Sequence, residues 1–540
     1  MPLADYPRMF LWGLLLVSVN QVQRYEIFPC FPNYLQEKRK IGEKSCISMY
    51  GILPIQQKAV PLQQEFPPRP LTMRTTAGFR LHKCRSIDIR IEKRNKEVES
   101  RKELVWKIAK LGVPLIVGQL GLVLQSFADT MMVGQYGTME LSASGFVGNI
   151  FNLAIFFLLG ISFGTTPVVG ALFSRNNCRG TARVFRESLL VNIAAGVLVS
   201  LLLAMLYVNI DKLGQPVELL PLIRPYFLAQ LASILFLAVF NSMKQFSDAL
   251  GRTRTPMYIM LISNVLNVVL NYIMIFGAAG CPEMGLLGAG IATLIARAFM
   301  PIAMGVILMS RSYKAYIRPE TTERAIGLTR LGMVHLTMLG LPIAIQLCLE
   351  ASSFNIVALF MGWLGTIPLA AHQVMCTIST LCFQVLYGIG GAASILVSQH
   401  RGRNDWMRLK RTVKTAYVMA LCCAVMMTTL IIVFFSPLAS LFTTSEGVVN
   451  TLYTMLPCFI VYQLGDCTQI LFANVLRGIE AVKRMMLYAF IAYIMVSLPL
   501  SYVFAFVLDK GAAGVWWGMP FGLTTAGVLF WCEYRKACRG

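Results

Sequence analysis

Charge is scarce in this chain. Only 14% of its 540 residues are Asp, Glu, Lys or Arg, against about a quarter in soluble domains. With 56% hydrophobic residues and a mean hydropathy of +0.63, that deficit excludes an ordinary soluble protein and marks a membrane one. Histidine is scarcer still. The four present do not pair at ligand spacing, which argues against an imidazole-held metal. The fourteen cysteines show neither disulfide nor zinc-type pairing. Most, such as Cys348, Cys376, Cys382, Cys422 and Cys423, lie in apolar runs and read as small residues packed between helices. No nucleotide-binding glycine loop, metal cluster or nucleophile constellation is present, so an enzyme reading has little support and no cofactor is expected. Acidic residues number 26 against 48 Lys and Arg, for a net charge of +22. That excess does not point to nucleic acid. The basic residues sit in short connections between apolar runs, without interleaved aromatics.

Those apolar runs are what the sequence has in abundance. They lie near 106–134, 143–173, 186–207, 220–246, 256–278, 285–309, 333–361, 369–398, 412–436, 449–474, 484–508 and 512–532. Each approximates the ~20 residues needed to cross ~30 Å of hydrocarbon as a helix, and no β-type alternation competes. The expected fold is an all-α integral membrane protein of twelve transmembrane helices. The connections alternate in charge. SRNNCRGTARVFRE, LGRTRTP, QHRGRNDWMRLKRTVK, RGIEAVKR and the tail EYRKACRG are basic, whereas GQYGTME, GAAGCPEMG, GWLGTIP and TTSEG hold almost no Lys or Arg. By the positive-inside rule both ends of the membrane domain are cytoplasmic and the number of spans is even.

Residues 1–104 stand apart. MFLWGLLLVSV is too short to span and resembles a secretory h-region without a clean cleavage site. The mixed stretch after it, with PPRP and RIEKRNKEVESRKE, reads as a disordered extension or a mis-assigned start, with Met73 an alternative beginning.

The rest of the chain repeats itself. LGVPLIVGQLGLVLQSFADTMMVGQYGTMELSA aligns with LGLPIAIQLCLEASSFNIVALFMGWLGTIPLAA at a constant offset of 228. Gly112 and Pro114 match Gly340 and Pro342; Gly134 and Gly137 match Gly362 and Gly365. Without a gap, Gly160 then matches Gly388, and Arg175-Asn176 matches Arg403-Asn404. Six spans separate the copies, so both enter the membrane in the same direction. They must be related by an axis along the bilayer normal, as in transporters built of parallel halves. The expected organisation is two pseudo-symmetric six-helix lobes, 105–310 and 331–540, joined by a basic linker at 311–330. Two lobes that rock against each other give alternating access; nothing resembles a channel filter.

A carboxylate in mid-span costs about 2.5–3.5 kcal/mol on insertion scales and needs a partner, a cavity or a proton. Glu350 lies halfway along its span with no Lys or Arg within two turns in sequence. Asp466 is similarly central, and Tyr462 precedes it by one turn on the same face. Such hard oxygen donors suit a monovalent cation, Na⁺ first and H⁺ as the alternative. The competing account is two protonated acids hydrogen-bonded in a packed interface. The cation reading requires that both stay within reach of solvent. Asp129 lies toward the outer end of its span, either in the headgroup zone or facing a cavity. The duplication does not preserve these acids: Val357 aligns with Asp129, and Leu122 with Glu350. Arg297, the one central cation, is expected to snorkel or cap carbonyls, with pairing to a first-lobe acid as the alternative. Asn264, Asn267 and Asn271 form a polar stripe that either lines a cavity or binds helices together. Asp248, Arg252 and Arg254 read as a surface cluster at a span end, and His372 as a packing or hydrogen-bonding residue.

LGVPLIVGQL with FADTMMVGQYG, then PLAAHQV, then YQLGDCTQILFANVLRG, resembles the multidrug and toxic compound extrusion (MATE) family in its NorM-like branch, over the chain from about residue 105. The resemblance implies a secondary antiporter in the plasma membrane (the inner membrane of a bacterium), read as a monomer. Such a protein exports cationic or amphipathic small molecules in exchange for Na⁺ or H⁺. By the same resemblance Glu350, Asp466 and Tyr462 match the second-lobe cation site, and Asp129 matches a first-span acid implicated in coupling. Pro114 matches a proline where that span can bend, while Asn264, Asn267 and Arg297 are candidates for a substrate cavity. The rival within the same superfamily is a lipid-linked oligosaccharide flippase, whose cleft would be expected to carry several basic residues for a pyrophosphate.

Overall fold

The computed structural model describes residues 100–317, 327–443 and 445–539. The expected extension through residue 99 and the middle of the expected linker lie outside the described residues. Among the described residues, eleven helices are long and apolar enough to cross a membrane: α1 (Arg101–Tyr136), α2 (Thr138–Ser174), α3 (Cys178–Val208), α4 (Val217–Ala249), α5 (Arg254–Phe276), α6 (Gly285–Leu308), α7 (Arg330–Leu364), α8 (Thr366–Gly402), α9 (Trp406–Val433), α10 (Glu446–Gly478) and α11 (Met485–Val507). The twelfth, α12 (Gly511–Ala537), is richer in Gly, Trp and Thr. It suits a helix packed lengthwise against α10 and α11. The described residues hold no strand. This is an all-α, multi-pass membrane protein with one lobe of α1–α6 and another of α7–α12. Each expected span has its helix; most helices run further, into their basic flanks.

Local sequence sets the breaks. At the start of α1, Ser100 and Glu103 cap each other's backbone N–H groups, at 3.2 and 3.1 Å, and so satisfy two of the orphan donors of a helix start. The turns before α3 and α9 are copies of one another. Asn176 and Asn404 both take left-handed backbone geometry at φ 56°, which Asn tolerates better than most residues. The next residue then caps the helix: Asn177 accepts from the Gly180 N–H at 2.8 Å and Asp405 from that of Arg408 at 2.9 Å, as N-cap residues do. The duplication thus extends to stereochemistry.

The copies also meet in register. A Cβ on Gly112 would lie 3.2 Å from the Gly388 carbonyl oxygen, and one on Gly340 would lie 2.5 Å from that of Ile161. Gly160, the counterpart of Gly388, faces the backbone of Ala344 as Gly388 faces that of Ile116. Only small residues let helix backbones approach this closely. Nearer the basic loops Gly170 faces Ser398 and Gly402 faces Ser174, each residue opposite its own duplicate. A pseudo-two-fold axis therefore passes between them. Across it Arg175 donates to the Gly402 carbonyl and Arg403 to that of Ser174.

Among the described residues, hydrogen bonds, ring contacts and glycine approaches between the lobes run from the basic-loop end to about mid-span. The deepest joins the Cys348 thiol to the Leu153 carbonyl at 3.8 Å. Toward the other end Phe127 and Met131 of α1, and Leu359 and Trp363 of α7, are exposed. The lobes are fastened at one end. Polarity is inverted relative to a soluble protein: Asn192, Gln346 and Gln463 are buried while Val208 and Met309 are exposed, as a lipid solvent demands.

One expectation needs correcting here, at Asp248, and the start of the 311–330 linker has structure of its own. Arg311–Ile317 is a short helix docked on the first lobe, where the buried Tyr313 hydroxyl bonds Ser247 at 2.7 Å and Thr255 at 3.3 Å. Asp248 is not on the surface. It is buried beside Lys244, one turn earlier, at 3.0 Å, because α4 is packed to its end.

Candidate functional site

The second-lobe cluster is assembled from α7, α10 and α11. Glu350 on α7 is half-buried. Gln346, one turn earlier on the same face, donates to its Oε2 at 2.7 Å. Gln469 of α10 donates to the same oxygen at 3.4 Å and to the Tyr493 hydroxyl at 2.8 Å. Tyr493 lies in a π-wound stretch of α11, Phe490–Ser497, an irregularity frequent where a side chain must be re-aimed at a functional site. Its hydroxyl accepts from the same Gln469 amide that donates to Glu350. The carbonyl of the Gln346 side chain accepts from Arg477 at 2.8 Å. Arg477 also donates to Asn474 at 3.4 Å, and its guanidinium carbon lies 4.9 Å from the ring centroid of Phe163. Phe163 belongs to the other lobe.

Asp466 is within electrostatic reach of Glu350, yet the two share no hydrogen bond, and Asp466 Oδ2 has no hydrogen-bond partner among the described residues. Here the sequence reading fails in part. Both acids were expected to be open to solvent, but Asp466 is 1% exposed. Neighbouring Gly465 lets α12 come close at Thr524 and Leu523, and α8 closes on α10 as well. Among the described residues Tyr462 shares no hydrogen bond with either acid; its hydroxyl accepts from Ser379 of α8 at 3.1 Å, and its ring packs on Phe459 and Trp516. Of the two acids, Glu350 is the less buried.

The first-lobe cluster is separate. Asp129 accepts from Asn271 at 2.5 Å, and Asn271 and Asn267 continue the chain to Thr293 of α6, each step 3.4 Å. Asn267 and Asn271 are fully buried; they bind helices together rather than line an open cavity. Asn264 is half-buried, its Nδ2 without a partner and close against Gly121. Arg297 neither snorkels nor caps backbone carbonyls. It donates to the Gln230 side chain at 2.9 Å and to Ser233 at 2.7 Å, polar partners that α4 supplies at depth. Pro114 is buried inside a continuous α1; its duplicate Pro342, also inside a continuous helix, is half-buried. His372 is buried and accepts from the Trp516 indole at 3.2 Å.

Four members of the second cluster escaped the sequence reading: Gln346, Gln469, Tyr493 and Arg477. The two glutamines stand four and three residues from the acids, a helical spacing that could have found them. Arg477 was counted among the loop cations of RGIEAVKR, but it is 4% exposed inside α10.

The MatE family profile matches residues 114–273 and 342–503, one block in each lobe. The chain belongs to the MatE family. Among curated relatives, a probable multidrug resistance protein NorM of Bradyrhizobium diazoefficiens is 29% identical over 80% of this chain and 93% of its own length. One of the same description from Photorhabdus laumondii is 26% identical over 79% and 94%. A mutant of the Vibrio cholerae MATE transporter VcmN superposes with a TM-score of 0.73 at 21% identity, covering 82% of this chain and 98% of that one. Fold and family are those of NorM-like MATE proteins.

Proposed function

We propose that this protein is a secondary antiporter that expels cationic or amphipathic compounds in exchange for an inward-moving monovalent cation, Na⁺ first and H⁺ as the alternative. It works as a monomer in a bacterial plasma membrane, with its basic loops and both ends of the membrane domain cytoplasmic. The curated relatives named as multidrug resistance proteins support the cargo class. One observation carries the ion reading: Glu350 is a half-buried carboxylate at mid-span, held by side-chain amides of its own helix and of α10. Such a shell can exchange its donors for a cation without rebuilding the helices.

The lobes, fastened at the basic-loop end, correspond to an outward-open state. Cation entering from outside occupies Glu350 and lowers the affinity for a cationic drug, which leaves outward. The lobes then rock, and the ion is released inside. Mutual exclusion by about 1–3 kcal/mol is sufficient coupling. The oligosaccharide flippase reading is weaker, because Arg297 and Arg477 are already engaged by side chains of their own lobes.

The test is transport of a fluorescent cationic dye in proteoliposomes under an imposed sodium or proton gradient. One gradient should drive accumulation and its collapse should stop it. Equal dye movement with and without either gradient would remove the antiport assignment.

A further inference from the structure

We infer that Gln346 and Arg477 form a directional relay that reports the loading of Glu350 to the joint between the lobes. The inference rests on the antiport reading and adds the residues that carry its coupling. Chemistry fixes the direction of the amide. An ionised carboxylate only accepts hydrogen bonds and a guanidinium only donates them. Gln346, lying between the two, must turn its NH₂ to Glu350, at 2.7 Å, and its carbonyl to Arg477, at 2.8 Å. Arg477 in turn lies over Phe163 of the opposite lobe. Phe163 stands beside Ile161 and Gly164, where α2 meets Gly340 of α7. Three side chains thus run from the acid to the interlobe contact. Gln346 and Arg477 are 0% and 4% exposed, so neither can replace these bonds with solvent in place.

A cation on Glu350 reverses the demand on the amide. The incoming ion calls for an oxygen, and Gln346 can supply one only by turning over. Its NH₂ then faces the guanidinium, donor against donor. Arg477 loses its shorter bond, at 2.8 Å, and keeps only Asn474 at 3.4 Å, so the stack on Phe163 is held less firmly. Ion loading from outside therefore loosens the cytoplasmic joint. While Glu350 is charged and empty the joint holds, which prevents turnover without exchange. Arg477 is a positioning residue in this scheme, and Gln346 is the element that switches. The first lobe has no counterpart: Asp129 bonds to Asn271, whose chain leads to Thr293 of its own lobe.

The experiment uses the full chain in nanodiscs with spin labels on unnatural amino acids at Tyr258 and Met407. Both are exposed near the basic-loop ends of α5 and α9, one on each lobe. The distance distribution is followed through a sodium titration at fixed pH, then a pH series at fixed sodium. In the wild type, one cation should lengthen the distance. Arg477→Gln should shift the population about tenfold toward the long distance without ion and flatten the ion response, the scale of a desolvated cation–π contact. Phe163→Leu, which leaves the ion-binding lobe intact, should shift it in the same direction. Arg477→Lys, retaining charge but not the planar fork, should restore part of the response. Gln346→Leu should uncouple the distance from the ion. A merely structural arginine would lower stability and leave the ion dependence unchanged. If Arg477→Gln and Gln346→Leu follow the wild-type ion curve, the relay is wrong and the antiport reading stands. If the wild-type distance ignores both cations, the antiport reading falls and the relay falls with it.

Discussion

The two lobes share one scaffold and differ in what their acids can reach. In the first, Asp129 is tied by Asn271 to a buried amide chain that ends on Thr293, and the one deep cation, Arg297, is held by Gln230 and Ser233. Among the described residues, the hydrogen bonds of that chain stay within its own lobe. In the second, Glu350 connects through Gln346 and Arg477 to Phe163 across the interface. Duplication supplied the glycines that let the lobes meet. Divergence at single positions, Leu122 against Glu350 and Val357 against Asp129, gave each lobe its own chemistry. An acid governs the joint only where its hydrogen bonds lead there.

The comparison breaks most visibly at the acids themselves. Glu350→Gln should lower gradient-driven dye transport by about a hundredfold, the upper range of a site-to-site coupling, with the protein still folded by circular dichroism. Asp129→Asn should cost about tenfold or less by the same measure. Next in size is the joint. Gly388→Val would drive a side chain into Ile116 of α1, an overpacking worth about 1–3 kcal/mol. It should lower the thermal midpoint and shift the Tyr258–Met407 distance toward the long population; an unchanged midpoint would mean the lobes do not depend on this approach. Asn271→Ala leaves Asp129 without its donor and should destabilise the first lobe by about 1 kcal/mol, read as a lower melting temperature with an unaltered ion response. The smallest effect is expected at Trp516→Phe, which removes the bond to His372 and about 0.5–1.5 kcal/mol without changing transport.

Much of this architecture was legible in the sequence because lipid allows few solutions. A span must be apolar along its length, and its ends are fixed by residues such as Asn177 and Asp405 whose side chains cap a helix. The repeat was legible because Gly112, Gly160, Gly340 and Gly388 sit where backbones nearly touch, a constraint no larger residue meets. The acids were legible by their cost. Their surroundings were not. Arg477 and Glu350 are brought together only by the packing of α7 against the α10 bundle, and an arginine before a basic loop looks like a loop arginine. The dryness of Asp466 depends on how closely α12 approaches Gly465, which no periodicity reports.

The most direct measurement is exchange itself: cation uptake and dye release followed together in proteoliposomes for the wild type, Glu350→Gln and Asp129→Asn. Opposite and proportionate fluxes in the wild type, lost in Glu350→Gln and retained in weakened form in Asp129→Asn, are the predicted result. Proportionate exchange at the wild-type rate in Glu350→Gln would contradict the account.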